Sequence, residues 1–161
     1  MTSTMEQEQI HTLEIRKEES INAPIEIAFQ ALLEELGPES TMPDGKPYPM
    51  KLEAWPGGRW FRDLGNNTGH LWGNVQVIKP PTLLEIIGPM PMSYPAMNHV
   101  QYRLTAEGNI TRLAFMHKGM GMISQDHRDG MPQGWGYKLS RVRILAEQLK
   151  NAGVNGKAAN R

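Results

Sequence analysis

Apolar side chains along this chain follow two periods. Leu13, Ile15 and Ile21 are separated by charged residues over 11–21, the alternation of a strand with one wet face. Ile25, Phe29, Leu32 and Leu36 then recur at helical steps. Asn22 is a candidate cap for that helix, Pro24 suits its first turn, Glu26 favours the positive end of the dipole, and Gly37-Pro38 stops it. Proline and glycine make 38–50 a loop. Strand-like segments follow at 51–55, 59–64, 69–78, 83–87, 98–106 and 110–118. Turn formers divide them: Pro56-Gly57-Gly58, Gly65-Asn66-Asn67, Lys79-Pro80-Pro81 and Glu107-Gly108-Asn109. Residues 88–96 read as a Met- and Pro-rich loop. Residues 119–122 read as a Gly- and Met-rich linker, with room for one helical turn over 124–128. The helical period returns at 134–150, where Trp135, Leu139, Val142, Ala146 and Leu149 form one stripe that Ile144 and Leu145 widen.

The order is strand, helix, five or six antiparallel strands, long helix. Hairpin turns this short leave no room for parallel crossovers. An open antiparallel sheet needs one face covered. A helix over 134–150 is roughly 25 Å long, which matches the strands it would cover. The pattern therefore predicts an α+β fold. A curved antiparallel sheet of six or seven strands wraps a long C-terminal helix, and any pocket lies between the two. One domain spans 11–150, with flexible tails at 1–10 and 151–161.

Composition narrows the partners. Seventeen basic side chains balance seventeen acidic ones in 161 residues. No basic excess points to nucleic acid or to an anionic membrane surface. No apolar run is long enough for a membrane span, and the N-terminus does not read as a signal peptide. The absence of cysteine excludes disulfides, thiolate nucleophiles and Cys-ligated metals. A cytoplasmic monomer or homodimer without a cofactor is the expectation. Eleven Met residues suit either irregular core packing or a surface that adapts to varied ligands.

Parity selects the candidate chemistry. On the last strand Thr111, Leu113, Phe115 and His117 share the more apolar face, so they should point at the helix. His117 then offers a hydrogen bond to a ligand or a general base; the plainer role is a core histidine satisfied by its surroundings. Val100, Tyr102 and Leu104 share a face of the neighbouring strand, which makes Tyr102 a pocket candidate or a packed core ring. Trp72 has the opposite parity from Leu71, Val75 and Val77, so it is expected on the outer face, where it could seed a dimer contact. Met90, Met92, Tyr94 and Met97, with Met120 and Met122, are candidates for a pliable pocket entrance. The five histidines have no metal-ligand spacing, and Asp126-His127-Arg128-Asp129 reads as a solvated turn, so no metal site is expected. Ser124 has no identified base.

An ordered set of short motifs adds a resemblance. Ala23-Pro24 opens the first helix, and Pro56-Gly57-Gly58 stands in the second hairpin. Gly73-x-Val75 precedes Pro80-Pro81-x-x-Leu84. Thr111-x-Leu113 follows, and Gly134-Trp135 stands at the final helix. Over about residues 12–150 this set resembles the helix-grip superfamily, also called START-like, Bet v 1-like or SRPBCC. Within it the set resembles the domains similar to the C-terminal part of the activator of Hsp90 ATPase. The resemblance implies a cavity between sheet and helix for a lipid, polyketide, hormone or other apolar molecule. A minority of members are cyclases, hydratases or hydrolases. It also favours Trp60 over Phe61 as the inward side chain, with Arg62 beside it. Arg62 could meet a ligand carboxylate there, or snorkel at the surface. The ligand-binding candidates are Trp60, Arg62, Tyr102, Leu113, Phe115, His117, Met120, Trp135 and Leu139. The first functional expectation is a binding module for a small hydrophobic or amphipathic ligand: a carrier, a sensor or a stress-related protein. The second is a co-chaperone-like module that binds a chaperone. The third is an enzyme working in the same cavity, with no catalytic residue assigned.

Overall fold

The computed structural model describes residues 9–153. The expected tails fall outside the described residues, apart from 9–10 and 151–153. The elements are β1 (His11–Ile21), α1 (Ile25–Leu36), β2 (Lys51–Leu52), β3 (Arg59–Gly65), β4 (Thr68–Lys79), β5 (Leu83–Gly88), β6 (Ala96–Glu107), β7 (Ile110–Gly121) and α2 (Gln125–Asn151). The strands make one antiparallel sheet in the order β1-β7-β6-β5-β4-β3-β2. Consecutive strands from β2 to β7 are neighbours. β1 joins from the far end of the sequence, pairing along its length with β7 so that Ile15 faces His117. This is the α+β helix-grip arrangement: a curved, open seven-stranded sheet with a long C-terminal helix.

Alternation sorts the two faces. Val100, Tyr102 and Leu104 of β6 and Leu113, Phe115 and His117 of β7 are all buried. Both helices cover this face. α1 contributes Phe29, Leu32 and Leu36, and α2 contributes Trp135, Leu139, Val142 and Ala146, to one contiguous core. The Trp60 indole N–H donates to the Leu36 carbonyl at 2.7 Å, which satisfies one of the orphan carbonyls at the end of α1.

The structure departs from the sequence pattern in five places. α2 begins at Gln125, not at 134, and runs for 27 residues. Gly130, Pro132 and Gly134 each disfavour a helix interior, so local propensity hides its first half. Ser124 caps it, its Oγ accepting from the His127 backbone N–H at 3.3 Å. Secondly, residues 119–121 are not a linker but the end of β7, paired with Ala96–Asn98 on one side and His11–Leu13 on the other. Thirdly, the strand expected at 51–55 is only Lys51–Leu52. Fourthly, Asn22 does not cap α1. It ties the turn before α1 to the end of α2, accepting from Lys150 Nζ at 3.1 Å while its backbone N–H donates to Glu147 at 3.1 Å.

The fifth departure moves a tryptophan. Trp60 pairs with Gly73 and Phe61 with Leu71, so Trp72 is an extra residue in β4. Such a bulge resets the parity of the strand. Leu71 is consequently 44% exposed. Trp72 packs against the core, edge-on to Trp60 at 5.1 Å. A second irregularity between Val75 and Val77 buries Val75 and brings Ile78, not Val77, onto the core. No described helix is long and apolar enough to cross a membrane.

Candidate functional site

Two distinct places come from the inward faces: a sealed polar network in the core and an apolar cleft at one end of it. The network centres on His117, which is fully buried. The Trp135 indole N–H donates to His117 Nδ1 at 2.9 Å. That leaves the ring proton on Nε2, which donates to Asn98 Oδ1 at 2.7 Å. The Asn98 amide in turn donates to the carbonyls of Gly88 and Pro89 at 3.2 and 3.3 Å. The chain of bonds thus runs from α2 through β7 and β6 to the Met-rich loop. Burial holds the His117 ring well below the usual histidine range, at about 4, so it is neutral near pH 7. Both ring nitrogens are occupied. His117 is a structural histidine here, with no lone pair free to act as a base.

Gly119 makes room for this network. A Cβ at that position would run into Asn98 Oδ1. Gly119→Ala is expected to cost about 1–3 kcal/mol in denaturant unfolding, the usual range for overpacking a well-filled site. No loss of stability would mean that Asn98 can turn away from His117 freely.

The cleft lies between the sheet at β3–β4 and the N-terminal half of α2. Its volume is about 270 Å3. Trp60 and Trp72 form the sheet wall, Met90 and Pro91 one side, Thr41 and Pro43 another, and the α2 wall runs from Asp126 to Lys138. The middle of that helix wall is Gly130, Met131, Gly134 and Trp135. A Cβ at Gly130 or Gly134 would meet nothing within 4 Å. Neither glycine has a positive φ that would demand it. Each costs about 1 kcal/mol relative to alanine in a helix interior, and what they leave in exchange is open space beside an apolar wall.

Polar groups stand at the two ends of the cleft. At one end, His127 Nδ1 accepts from the Tyr94 hydroxyl at 2.6 Å, and that hydroxyl accepts from the Ser124 backbone N–H at 3.1 Å. The base missing beside Ser124 in the sequence is therefore His127, at a long 3.3 Å from Ser124 Oγ, but Tyr94 already occupies the same nitrogen. At the other end the Thr41 and Tyr137 hydroxyls bond each other at 2.7 Å. Lys138 sits beside them, its ammonium donating to Glu35 at 3.3 Å and to Ser40 Oγ at 3.1 Å. Glu35 is 1% exposed. Burial pushes its carboxyl up to about 7, against the pull of the Lys138 charge. Among the described residues no group of three or more metal-ligating side chains converges.

Of the nine ligand-binding candidates, Trp60 and Trp135 line the cleft. Tyr102, Leu113, Phe115, His117 and Leu139 lie outside it, packed in the core. Tyr102 and Phe115 stack at 5.1 Å, and Phe115 and Trp135 at 4.6 Å. Burial, then the Glu35 charge, pushes the Tyr102 hydroxyl well above its usual value. Arg62 is half-buried but stacks over the Tyr48 ring at 3.8 Å and donates to the Pro49 carbonyl. Met120 is 57% exposed on the outer face. Trp72 and His127 line the cleft although the sequence pattern set one on the outer face and the other in a solvated turn. Lys138, Glu35 and Thr41 carried no sequence signal at all. Gly130 and Gly134 did: two glycines in a helical segment without a turn to make are the one local hint of a groove.

No protein-family model matches the chain, and no curated protein matches it. Solved structures share its fold at low identity. An uncharacterized protein from Rhizobium leguminosarum is 15% identical with a TM-score of 0.68, over 87% of this chain and 97% of that one. A protein of unknown function from Staphylococcus aureus is 11% identical with a TM-score of 0.65, over 89% and 98%. CalU16 from Micromonospora echinospora is 19% identical with a TM-score of 0.57, over 93% and 95%. At these identities the likeness is one of fold.

Proposed function

We propose that this chain is a cytoplasmic binding module of the helix-grip kind, similar to the C-terminal domains of the Hsp90-ATPase activators. Its cleft takes one small apolar or amphipathic molecule. The observation that carries this reading is the pair Gly130 and Gly134. Two helix-interior glycines with open space above them face Trp60 and Trp72 across an apolar gap. That shape suits a flat ring system held between indole and helix backbone, with dispersion and burial supplying the affinity. Binding is favoured over catalysis because the polar groups that could act as a base in the cleft are engaged, His127 Nδ1 by the Tyr94 hydroxyl and Lys138 by Glu35 and Ser40. A chaperone-docking role rests on a different face. Met97 and Met120 are cross-strand partners, each more than half exposed on the outer sheet.

The test uses 1-naphthaleneacetamide, a flat and neutral probe, in isothermal titration. Wild type is expected to bind it with a stoichiometry near one. Gly134→Leu, which fills the open space, should weaken binding at least tenfold. Gly134→Ala should raise the folding stability by about 0.5–1 kcal/mol while also weakening binding. Unchanged binding by Gly134→Leu, or no binding by wild type, would remove the cleft as the ligand site.

A further inference from the structure

The Lys138 end of the cleft is built differently from the rest. From Asp126 to Lys138 the helix wall extends about 18 Å, so the two charged residues that line it stand at opposite ends. Asp126 is exposed in the first turn of α2, where water and the helix dipole already satisfy it. Lys138 is not in that position. Its side chain is 20% exposed, and its ammonium carries three N–H donors. Two go to Glu35 and Ser40. The third has no protein partner among the described residues, and Lys138 lines the cleft. An apolar molecule filling the cleft would drive the remaining water from this donor. A buried ammonium N–H without an acceptor costs more than a neutral one.

Resting on the binding-module reading, we propose that the ligand is an acid. Its anionic head, a carboxylate or an equivalent group, sits on the Lys138 ammonium, while Glu35 takes up one proton from solvent as the head arrives. The sharing of one ammonium supports both halves. Lys138 already pairs with Glu35, while Arg141 adds a positive charge without an ion pair to it. A second carboxylate on the same ammonium would compete with Glu35, and two carboxylates sharing one cation do not both stay ionised. Glu35 is the group able to yield. It is the more buried of the two, and its carboxyl already stands at about 7 in the free protein. The groups facing it are Lys138 and Arg141 from α2, Ser40 from the loop after α1, and the Tyr102 hydroxyl from β6. The assembly is a head-group site with a built-in proton acceptor. The neutral hydroxyl pair Thr41–Tyr137 beside it can bond the second oxygen of the head.

The experiment compares 1-naphthaleneacetate with 1-naphthaleneacetamide, which differ only in the head. Titrations are run at pH 6 and pH 8, each in two buffers of different ionisation heat. Wild type should prefer the acid at least tenfold at pH 6. The preference should shrink several-fold by pH 8, as Glu35 must then be reprotonated to accept the anion. About half a proton should be taken up per ligand near pH 7. Glu35→Gln should keep the preference and lose both the pH dependence and the proton uptake. The double variant Glu35→Gln/Lys138→Met, which removes the Glu35–Lys138 ion pair as a unit, should bind acid and amide with similar affinity and show no proton uptake. Equal binding of acid and amide by wild type, with Gly134→Leu still blocking both, would overturn the acid inference and leave the cleft reading intact. Binding of neither probe would remove the cleft reading itself, and this inference with it.

Discussion

Glu35→Gln is expected to give a protein whose stability climbs by roughly 3 kcal/mol between about pH 4 and 6.5, where wild type stays nearly level. Two buried groups with opposite linkage produce the level profile. His117 titrates at about 4 in the folded chain and near 6.5 when unfolded. The unfolded state therefore binds more protons in that window, and His117 makes stability fall as pH falls. Glu35 titrates at about 7 when folded against 4.5 in the open chain. The folded state binds more protons there, so Glu35 makes stability fall as pH rises. Each shift spans about 2.5 units, or roughly 3 kcal/mol at 1.36 kcal/mol per unit. The two nearly cancel where their windows overlap. Removing one exposes the other, so His117→Gln should show the reverse trend, losing stability as pH rises towards 7. Urea unfolding across this range reads only the slopes, so constant losses from the substitutions do not interfere. A Glu35→Gln profile parallel to that of wild type would mean that Glu35 does not titrate in this window. The proton-uptake half of the acid inference would then have no source.

Trp135→Ala should be the most damaging single truncation, at about 4–5 kcal/mol. The indole fills space against Phe115 at 4.6 Å and supplies the only donor to His117 Nδ1 among the described residues. Its loss combines a large cavity with a buried acceptor left unmet. Against a typical total of 5–15 kcal/mol, that places the variant close to the edge of folding. Trp135→Phe separates the parts. It keeps an aromatic ring on Phe115 and on the cleft wall but deletes the N–H, so it should lose about 1–3 kcal/mol. Binding of 1-naphthaleneacetamide should stay within a few-fold of wild type. Guanidinium unfolding measures the first effect and titration the second. A loss below 2 kcal/mol for Trp135→Ala would show that the His117 network is held from elsewhere.

Much of the fold was legible because burial on one face writes itself into alternation. Val100, Tyr102 and Leu104 against His99, Gln101 and Arg103 set the inner face of β6, and the last strand did the same for Phe115 and His117. Those signals are local, since each residue needs only its neighbours two positions away. The stripe Trp135, Leu139, Val142 and Ala146 identified the covering helix for the same reason. Parity failed at Trp72 because counting assumes an unbroken ladder, and the bulge that turns it inward depends on how β3 pairs with β4. The first half of α2 was hidden because Gly130, Pro132 and Gly134 oppose helix locally, while its cap and its packing favour it.

The site divides along the same line. The alternation and the helical stripe by themselves sent Tyr102, His117 and Trp135 to the interior, whereas Trp60 was favoured over Phe61 only by the resemblance. The sequence could not determine which of those would be sealed and which would face a gap. His117 is closed by Asn98, 19 residues away, and by Trp135, 18 residues away. Lys138 meets its carboxylate 103 residues away. The cleft walls come from the loop after α1, from β3 and β4, from the Met90–Pro91 segment and from α2. Whether facing surfaces interlock or leave a void depends on the distances between elements, which pairing and helix packing fix together. A hydrophobic pattern carries direction but not distance. Tertiary structure therefore decided that the core is filled beneath Leu139 and open beside Gly134.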